Sequence, residues 1–344
     1  MLPQKISEHV VTTADLQKRL DTRTKPPGSL GQLEALAIRI GLALQTERPR
    51  FTQPRIMVFA ADHGIAPAGV SAFPQEVTAQ MVLNYLSGGA AINVLARQLG
   101  LALAVIDAGV ATPLAAAPGL IDCNHGRGTR NYLQEPAMTT EQRDAAISAG
   151  RRLAAAAIAD GSNALLLGEM GIGNTASAAM LMHRITELPL AECVGRGTGL
   201  DDAGLNRKLT LLEAASARCP NKLQPLEALA EFGGFELAMI VGAVVEAAQH
   251  RCLVVIDGFA VSVAAMIATS IDESVLAHCV FSHCSAERAH RALLKHLGVR
   301  PLLDLEMRLG EASGAALAWP LIDASARLLS DMASFESAGV SDRV

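Results

Sequence analysis

The chain is 344 residues long, half of them hydrophobic and only 18% charged, which suits one large core or a main domain with a smaller companion. A formal net charge of −5 argues against a general nucleic-acid binder, which normally carries a basic face. Charged runs and low-complexity tails are absent from the sequence, so disorder is not expected to dominate.

The opening stretch MLPQKISEHVVTTADLQKRL lacks the apolar run of a targeting signal and reads as the start of an amphipathic helix, so a cytoplasmic protein is expected. Residues 1–45 read as helices around the turn TKPPGSLG (24–31). From there one pattern repeats: a short run rich in Val, Ile and Leu ends in an acid, Gly or polar residue, and a small-residue helical stretch follows. Its instances are RIMVFAADHG (55–64), LALAVIDAGV (101–110), NALLLGEMGIGN (163–174), CLVVIDGFAV (252–261), SVLAHCVFSHCSAE (274–287) and PLLDLEMRLGEASG (301–314). Such alternation predicts βα units and a parallel sheet covered on both faces. Right-handed crossovers put every strand's carboxyl end on one edge, where open α/β sheets bind ligands. Asp62, His63, Asp107, Glu169, Asp257 and Ser285 fall at or just after those ends and are expected to converge.

The uncharged stretch GFAVSVAAMIATSI (258–271) has 14 residues, short of the roughly 20 that span a bilayer, and reads as a buried helix. After about residue 312 helix returns. The expected fold is α/β: a Rossmann-like, three-layer parallel-sheet domain over 46–311, with a small helical lobe formed by both chain ends, 1–45 and 312–344.

Several loops could carry chemistry. In ADHGIAPAGVSAFPQEVTAQMV (61–82), a long Gly- and Pro-bearing loop leads into a helix and is a candidate substrate element, with His63 either an acid/base group or a structural partner. GEMGIGNTASAAM (168–180) has closely spaced glycines before a helix, which suits either an anion or a plain tight turn. Its order is G-x-x-G-x-G, not the dinucleotide fingerprint, and no G-K-[ST] follows. GRGTGLDDAGLNRK (195–208) offers Arg196, Arg207 and Lys208 to a phosphate or ribose, or to a solvated helix face. Its Asp201–Asp202 pair suits a magnesium ion or a helix N-cap, and the cap is favoured. In FSHCSAERAH (281–290), Ser282 and Ser285 suit a cap, a phosphate, or both. HCVFSHC (278–284) presents His278, Cys279, His283 and Cys284, but strand residues five apart face opposite ways, so no metal is expected. RLGEASGAALAWP (308–320) sets Glu311 among glycines and small apolar residues, either as an acid at a helix start or as a base in a dry pocket.

Read together, TKPPGSLG, ADHG (61–64), VTAQMV (77–82), GEMGIGNT (168–175), GRGTG (195–199), GGFE (233–236), DGF (257–259) and RLGEASGAA (308–316) resemble one family in order and over nearly the whole chain. It is the nicotinate-nucleotide–dimethylbenzimidazole phosphoribosyltransferase family of the lower-ligand branch of cobalamin biosynthesis. The resemblance implies transfer of phosphoribose from nicotinate mononucleotide to 5,6-dimethylbenzimidazole, a large parallel-sheet domain with a small lobe, and a homodimer. It implies Glu311 as the catalytic group. Gly171, Gly173, Lys208 and Ser285 would hold the nucleotide mainly by its phosphate, Glu169 would lie beside nicotinate and ribose, and Gln80 near the benzimidazole. No cofactor or metal is expected, and the partners are the two small substrates, without nucleic acid or membrane. A nicotinamide-dependent oxidoreductase and a non-catalytic nucleotide-binding module are the alternatives. The implied chemistry also explains a single carboxylate: the quaternised pyridine departs already activated, so only the proton on the benzimidazole needs a base.

Overall fold

The computed structural model describes residues 10–341 and places a parallel strand in five of the six apolar runs. Helices α1 (Thr13–Asp21) and α2 (Gln32–Ala43) come first, then β1 (Arg55–Ala61), α3 (Val77–Leu86), α4 (Ala91–Leu99) and β2 (Ala102–Gly109). Next follow β3 (Leu120–Asp122), α5 (Thr140–Ala159), β4 (Ala164–Met170), α6 (Asn174–Thr186), α7 (Leu190–Cys193) and α8 (Asp202–Arg218). The chain continues through α9 (Pro225–Phe232), α10 (Phe235–Gln249), β5 (Leu253–Ile256), α11 (Phe259–Ala268), β6 (Cys279–Phe281), α12 (Arg288–His296), α13 (Ser313–Asp331) and α14 (Phe335–Ala338). The first nine residues of the opening stretch lie outside the described residues; its helix starts at Thr13, with Thr12 and Asp15 forming a capping box.

The sheet order is β3-β2-β1-β4-β5-β6, and every pairing is parallel. The order reverses between β1 and β4, and a crevice at the carboxyl end of that reversal is where such sheets take ligands. The sequence FELAMIVGAVVEAAQ is apolar all round, so α10 is a core helix: 13 of its 15 residues are buried. All ten residues of α11 are buried as well, which accounts for the uncharged stretch at 258–271. Among the described residues no helix is long and apolar enough to cross a membrane.

The chain divides into two compact units. One is Thr52–Trp319, and the other takes the described residues up to Phe51 and from Pro320 onward, so the division falls within α13. The second unit has its own small core of Leu16, Leu20, Ala37 and Leu329. There the turn TKPPGSLG is clamped by Glu34, which pairs with Lys25 at 2.8 Å in a buried ion pair and accepts the Leu30 N–H at 3.0 Å.

Two expectations about strands need correction. PLLDLEMRLGEASG forms no strand; the Leu302 and Leu303 N–H groups bond to Phe281 O and Ser282 O at 3.1 and 3.0 Å, and the segment then leaves β6. Asp304 and Glu306 are exposed, Glu306 has a φ of +56°, and β6 offers only three residues to pair with. Glu311 therefore follows an irregular segment and not a strand end. The unforeseen strand is β3, whose three residues pair with Val105, Ile106 and Asp107 of β2.

Candidate active site

Glu169 is the next-to-last residue of β4, in register with Phe59 of β1 at the reversal of strand order. Its neighbour Gly168 has no side chain for a physical reason: a Cβ there would sit 2.2 Å from the Ala312 backbone nitrogen. That vacancy lets the turn before α13 press against β4, and the Glu311 N–H bonds to the Glu169 carbonyl at 3.3 Å. Glu311 and Ala312 both take left-handed backbone conformations, with φ of +66° and +64°. Such conformations cost on the order of 1–3 kcal/mol each outside glycine and persist only when their surroundings hold them. Here Asp257, just after β5, accepts the Ala315 N–H of the first turn of α13 at 3.0 Å, and the Ser313 hydroxyl donates to Gly310 O at 2.6 Å.

Glu311 is only 4% exposed, and its Oε2 has no hydrogen-bond partner among the described residues. Burial pushes its pKa up to about 7; the Tyr85 hydroxyl, near but outside good hydrogen-bond geometry, draws it down, while Asp257 raises it. Glu169 is pushed to about 8, first by burial and then by the charges of Glu236, Asp257 and Glu311, against a hydrogen bond from the Asn174 amide. Two adjoining carboxyl groups thus titrate near neutrality, the range in which a carboxylate works best as a base. His63 is committed elsewhere: wholly buried, it bonds Glu236 Oε1 through Nε2 at 2.8 Å and Ser177 Oγ through Nδ1 at 2.9 Å. Asp107 is likewise committed, accepting the Val110 N–H at 2.8 Å.

A pocket opens beside Glu169, lined among others by Gly171, Asn174, Thr175, Ser285 and Arg308. Gly173, with φ +100°, is the N-cap of α6 and makes no side-chain cap. The Asn174 and Ala176 N–H groups turn back to Gly171 O and Gly173 O at 3.1 and 3.0 Å, and the positive end of the helix dipole faces outward, where it favours an anion. Lys208 of α8 is fully buried, and its Nζ donates to Thr175 Oγ1 at 3.0 Å and to Gly195 O at 3.2 Å. Burial lowers its pKa to about 8, opposed by the charge of Glu287. Arg308 donates to Gly197 O at 3.2 Å, and Ser285 Oγ accepts the Glu287 N–H at 3.2 Å.

The structure thus puts Glu169, Gly171 and Ser285 in the pocket wall, Gly173 at the helix start and Lys208 behind Thr175. Glu311 lies next to Glu169, after the wall residue Gly310. Gln80 is apart from them, exposed on α3, whose Thr78 hydroxyl accepts the Ile172 N–H at 3.1 Å. Of the other loop cations, Arg207 is exposed and Arg196 pairs with Asp202. Asp201 caps α8 by accepting the Gly204 N–H at 2.7 Å. Among the described residues no group of three or more His, Cys, Asp or Glu is arranged to hold a metal ion.

Sequence reasoning did not single out Tyr85, Asn174, Glu287 or Arg308. Asn174 and Arg308 stood inside stretches already marked as loops, whereas nothing in the sequence distinguishes Tyr85 from a core residue of α3.

Comparison with known proteins follows the same lines. A family described as phosphoribosyltransferase matches residues 7–340. The nicotinate-nucleotide–dimethylbenzimidazole phosphoribosyltransferase of Cupriavidus necator is 56% identical over 327 residues, covering 95% of this chain and 94% of the relative. That of Ralstonia nicotianae is 56% identical over 332 residues, covering 96% and 94%. The crystal structure of CobT from Thermus thermophilus superposes with a TM-score of 0.93 at 45% identity, covering 96% of this chain and 99% of that one.

Proposed function

The chain belongs to the nicotinate-nucleotide–dimethylbenzimidazole phosphoribosyltransferase family, and on that premise we propose that it transfers the phosphoribosyl group of nicotinate mononucleotide to 5,6-dimethylbenzimidazole. The products are α-ribazole 5′-phosphate and nicotinate. The observation that ties this reading to particular residues is the backbone hydrogen bond from Glu311 to Glu169 beside a pocket whose wall residue Thr175 is backed by the buried Lys208.

In this reading the donor phosphate binds at the start of α6, held by Gly171, Gly173, Ser285 and the charge of Lys208. Glu169 lies beside the nicotinate and ribose, where its carboxylate faces the pyridinium charge. One ring nitrogen of the benzimidazole attacks C1′ from the opposite face. As that bond forms, the bond from C1′ to the pyridinium nitrogen breaks, and its electron pair returns to the ring, so nicotinate leaves without needing an acid. The proton on the other benzimidazole nitrogen passes to Glu311. Attack from the opposite face converts a β to an α configuration. Gln80, on the helix that α6's loop is bonded to through Thr78, meets the acceptor base.

The test is chromatography of the products from nicotinate mononucleotide and 5,6-dimethylbenzimidazole. Equal amounts of nicotinate and α-ribazole phosphate are expected, and no release of nicotinate would overturn the reading. The family resemblance also supports a cytoplasmic homodimer, which sedimentation would report as twice the 36.0 kDa chain mass.

A further inference from the structure

Ser285 sits between β6 and α12, and its backbone N–H donates to His290 Nδ1 at 2.8 Å. A backbone N–H can only donate, so Nδ1 is the unprotonated nitrogen and the ring carries its proton on Nε2. That proton is given to Ser262 Oγ, 2.9 Å away on α11. His290 and Ser262 are both fully buried, and the imidazole packs near Phe259 and His283, each with ring centroids 6.2 Å from its own. Burial, with His283 and Arg291 adding to it, holds the His290 pKa down at about 3, so the ring stays neutral throughout the working range.

The other polar atoms of Ser285 are committed just as definitely. Its Oγ accepts the Glu287 N–H at 3.2 Å, while its own N–H is spent on His290. The donor that remains for an anion in the pocket is the hydroxyl proton. We propose that His290 is a positioning residue for the donor phosphate: anchored to Ser262, its neutral imidazole fixes the Ser285 backbone so that the Ser285 hydroxyl donates to the anion. The inference rests on the reading of Ser285 as a phosphate contact.

The experiment compares His290→Leu, His290→Asn, Ser285→Ala and the double variant His290→Leu/Ser285→Ala in the full chain. It measures KM for each substrate, kcat, and the calorimetric Kd of nicotinate mononucleotide. Loss of one hydrogen bond to a charged group raises Kd about tenfold. His290→Leu is therefore expected to raise the KM and Kd of the nucleotide about tenfold, with kcat and the KM of the benzimidazole within about twofold of the parent. His290→Asn, which keeps an acceptor near the Nδ1 position, recovers most of the loss. The double variant is no worse than Ser285→Ala, because both changes remove the same contact.

An additive double variant, or an equal rise in KM for both substrates, overturns the proposal. If Ser285→Ala binds the nucleotide normally, the phosphate reading of Ser285 fails and the proposal falls with it. If Ser285→Ala is impaired and His290→Leu is not, only the positioning role fails. Should His290→Leu not fold, His290→Asn carries the kinetic comparison, and nitrogen-15 NMR of histidine-labelled parent protein reads the tautomer. An unprotonated Nδ1 and protonated Nε2 that persist from pH 5 to 8 support the assignment, and the opposite tautomer overturns it.

Discussion

Replacing Glu311 with Gln separates what this carboxylate costs from what it does. The amide keeps the size and shape of the side chain but cannot ionise. In the folded protein burial has moved the Glu311 pKa from its ordinary 4.5 to about 7, and at 1.36 kcal/mol per pH unit the shift is worth on the order of 3 kcal/mol. The folded state holds this proton more tightly than the unfolded one. Its contribution to stability is therefore fully present below about pH 4.5 and is lost as pH rises through about 7. At pH 6 the loss is on the order of 2 kcal/mol, and by pH 8 it is nearly complete. Glu311→Gln is expected to be more stable than the parent in denaturant unfolding, by a margin about 1 kcal/mol larger at pH 8 than at pH 6. Turnover moves the other way, falling about a hundred- to ten-thousand-fold with nucleotide binding retained. A variant less stable than the parent, with a difference that does not change with pH, would refute the electrostatic argument. An unchanged kcat would remove Glu311 from the proposed chemistry.

Three further outcomes are expected. Glu169, pushed up to about 8, is mostly protonated at pH 7; a pyridinium cation beside it favours the ionised form, so donor binding at pH 7 releases a proton. Calorimetry in buffers of different ionisation enthalpy detects this, Glu169→Gln diminishes it, and a buffer-independent binding heat in the parent contradicts it. Lys208→Met is expected to raise the Kd of nicotinate mononucleotide about a hundredfold through loss of a charge-assisted contact, without loss of folding, and unaltered affinity would take Lys208 out of the phosphate site. Gly168→Ala places a methyl group 2.2 Å from the Ala312 nitrogen, which forces the turn carrying Glu311 away from β4. It is expected to cost about 1–3 kcal/mol of stability and to lower kcat more than it raises KM, so a variant with parental kcat contradicts the turn's role.

Five strands could be read from the sequence because each is an apolar run long enough to be buried on both faces. β3 could not, since Leu120–Asp122 is two apolar residues and an acid set after Pro118 and Gly119, outside any apolar run, and is a strand only because β2 offers it an edge. The run at 301–314 misled for the converse reason: its leucines suggest burial, yet Leu305 and Leu309 are 55% and 53% exposed. In the candidate site, Glu311 was conspicuous as an acid among small residues, but its raised pKa comes first from burial, with Tyr85 opposing the rise and Asp257 adding to it, and only the fold supplies all three. Lys208 did carry a local signal. It lies on the α8 stripe of Gly204, Leu212 and Ala215, whose spacing of three and four marks the buried face and sets it apart from Arg207. The bond from Ser285 to His290 and on to Ser262 joins three segments through residue types that are ordinary in any loop or helix, so no periodicity could reveal it.

The shifted groups of the pocket have one cause in common. Glu169 and Glu311 are raised, and Lys208 is lowered, chiefly because each is buried with too little opposite charge nearby. On the proposed reading, nicotinate mononucleotide brings the missing charges: a pyridinium cation toward the carboxyl pair and a phosphate toward the lysine. Each charge moves its neighbour back toward the ordinary value, so part of the cost of burying these groups returns as donor affinity. The consequence for the chemistry falls on Glu311. With a pKa of about 7 it is only partly ionised near neutrality in the empty pocket, and the donor's cation shifts it to the carboxylate. The base is then in its active form when the donor is bound, which is the state in which the benzimidazole proton must be removed.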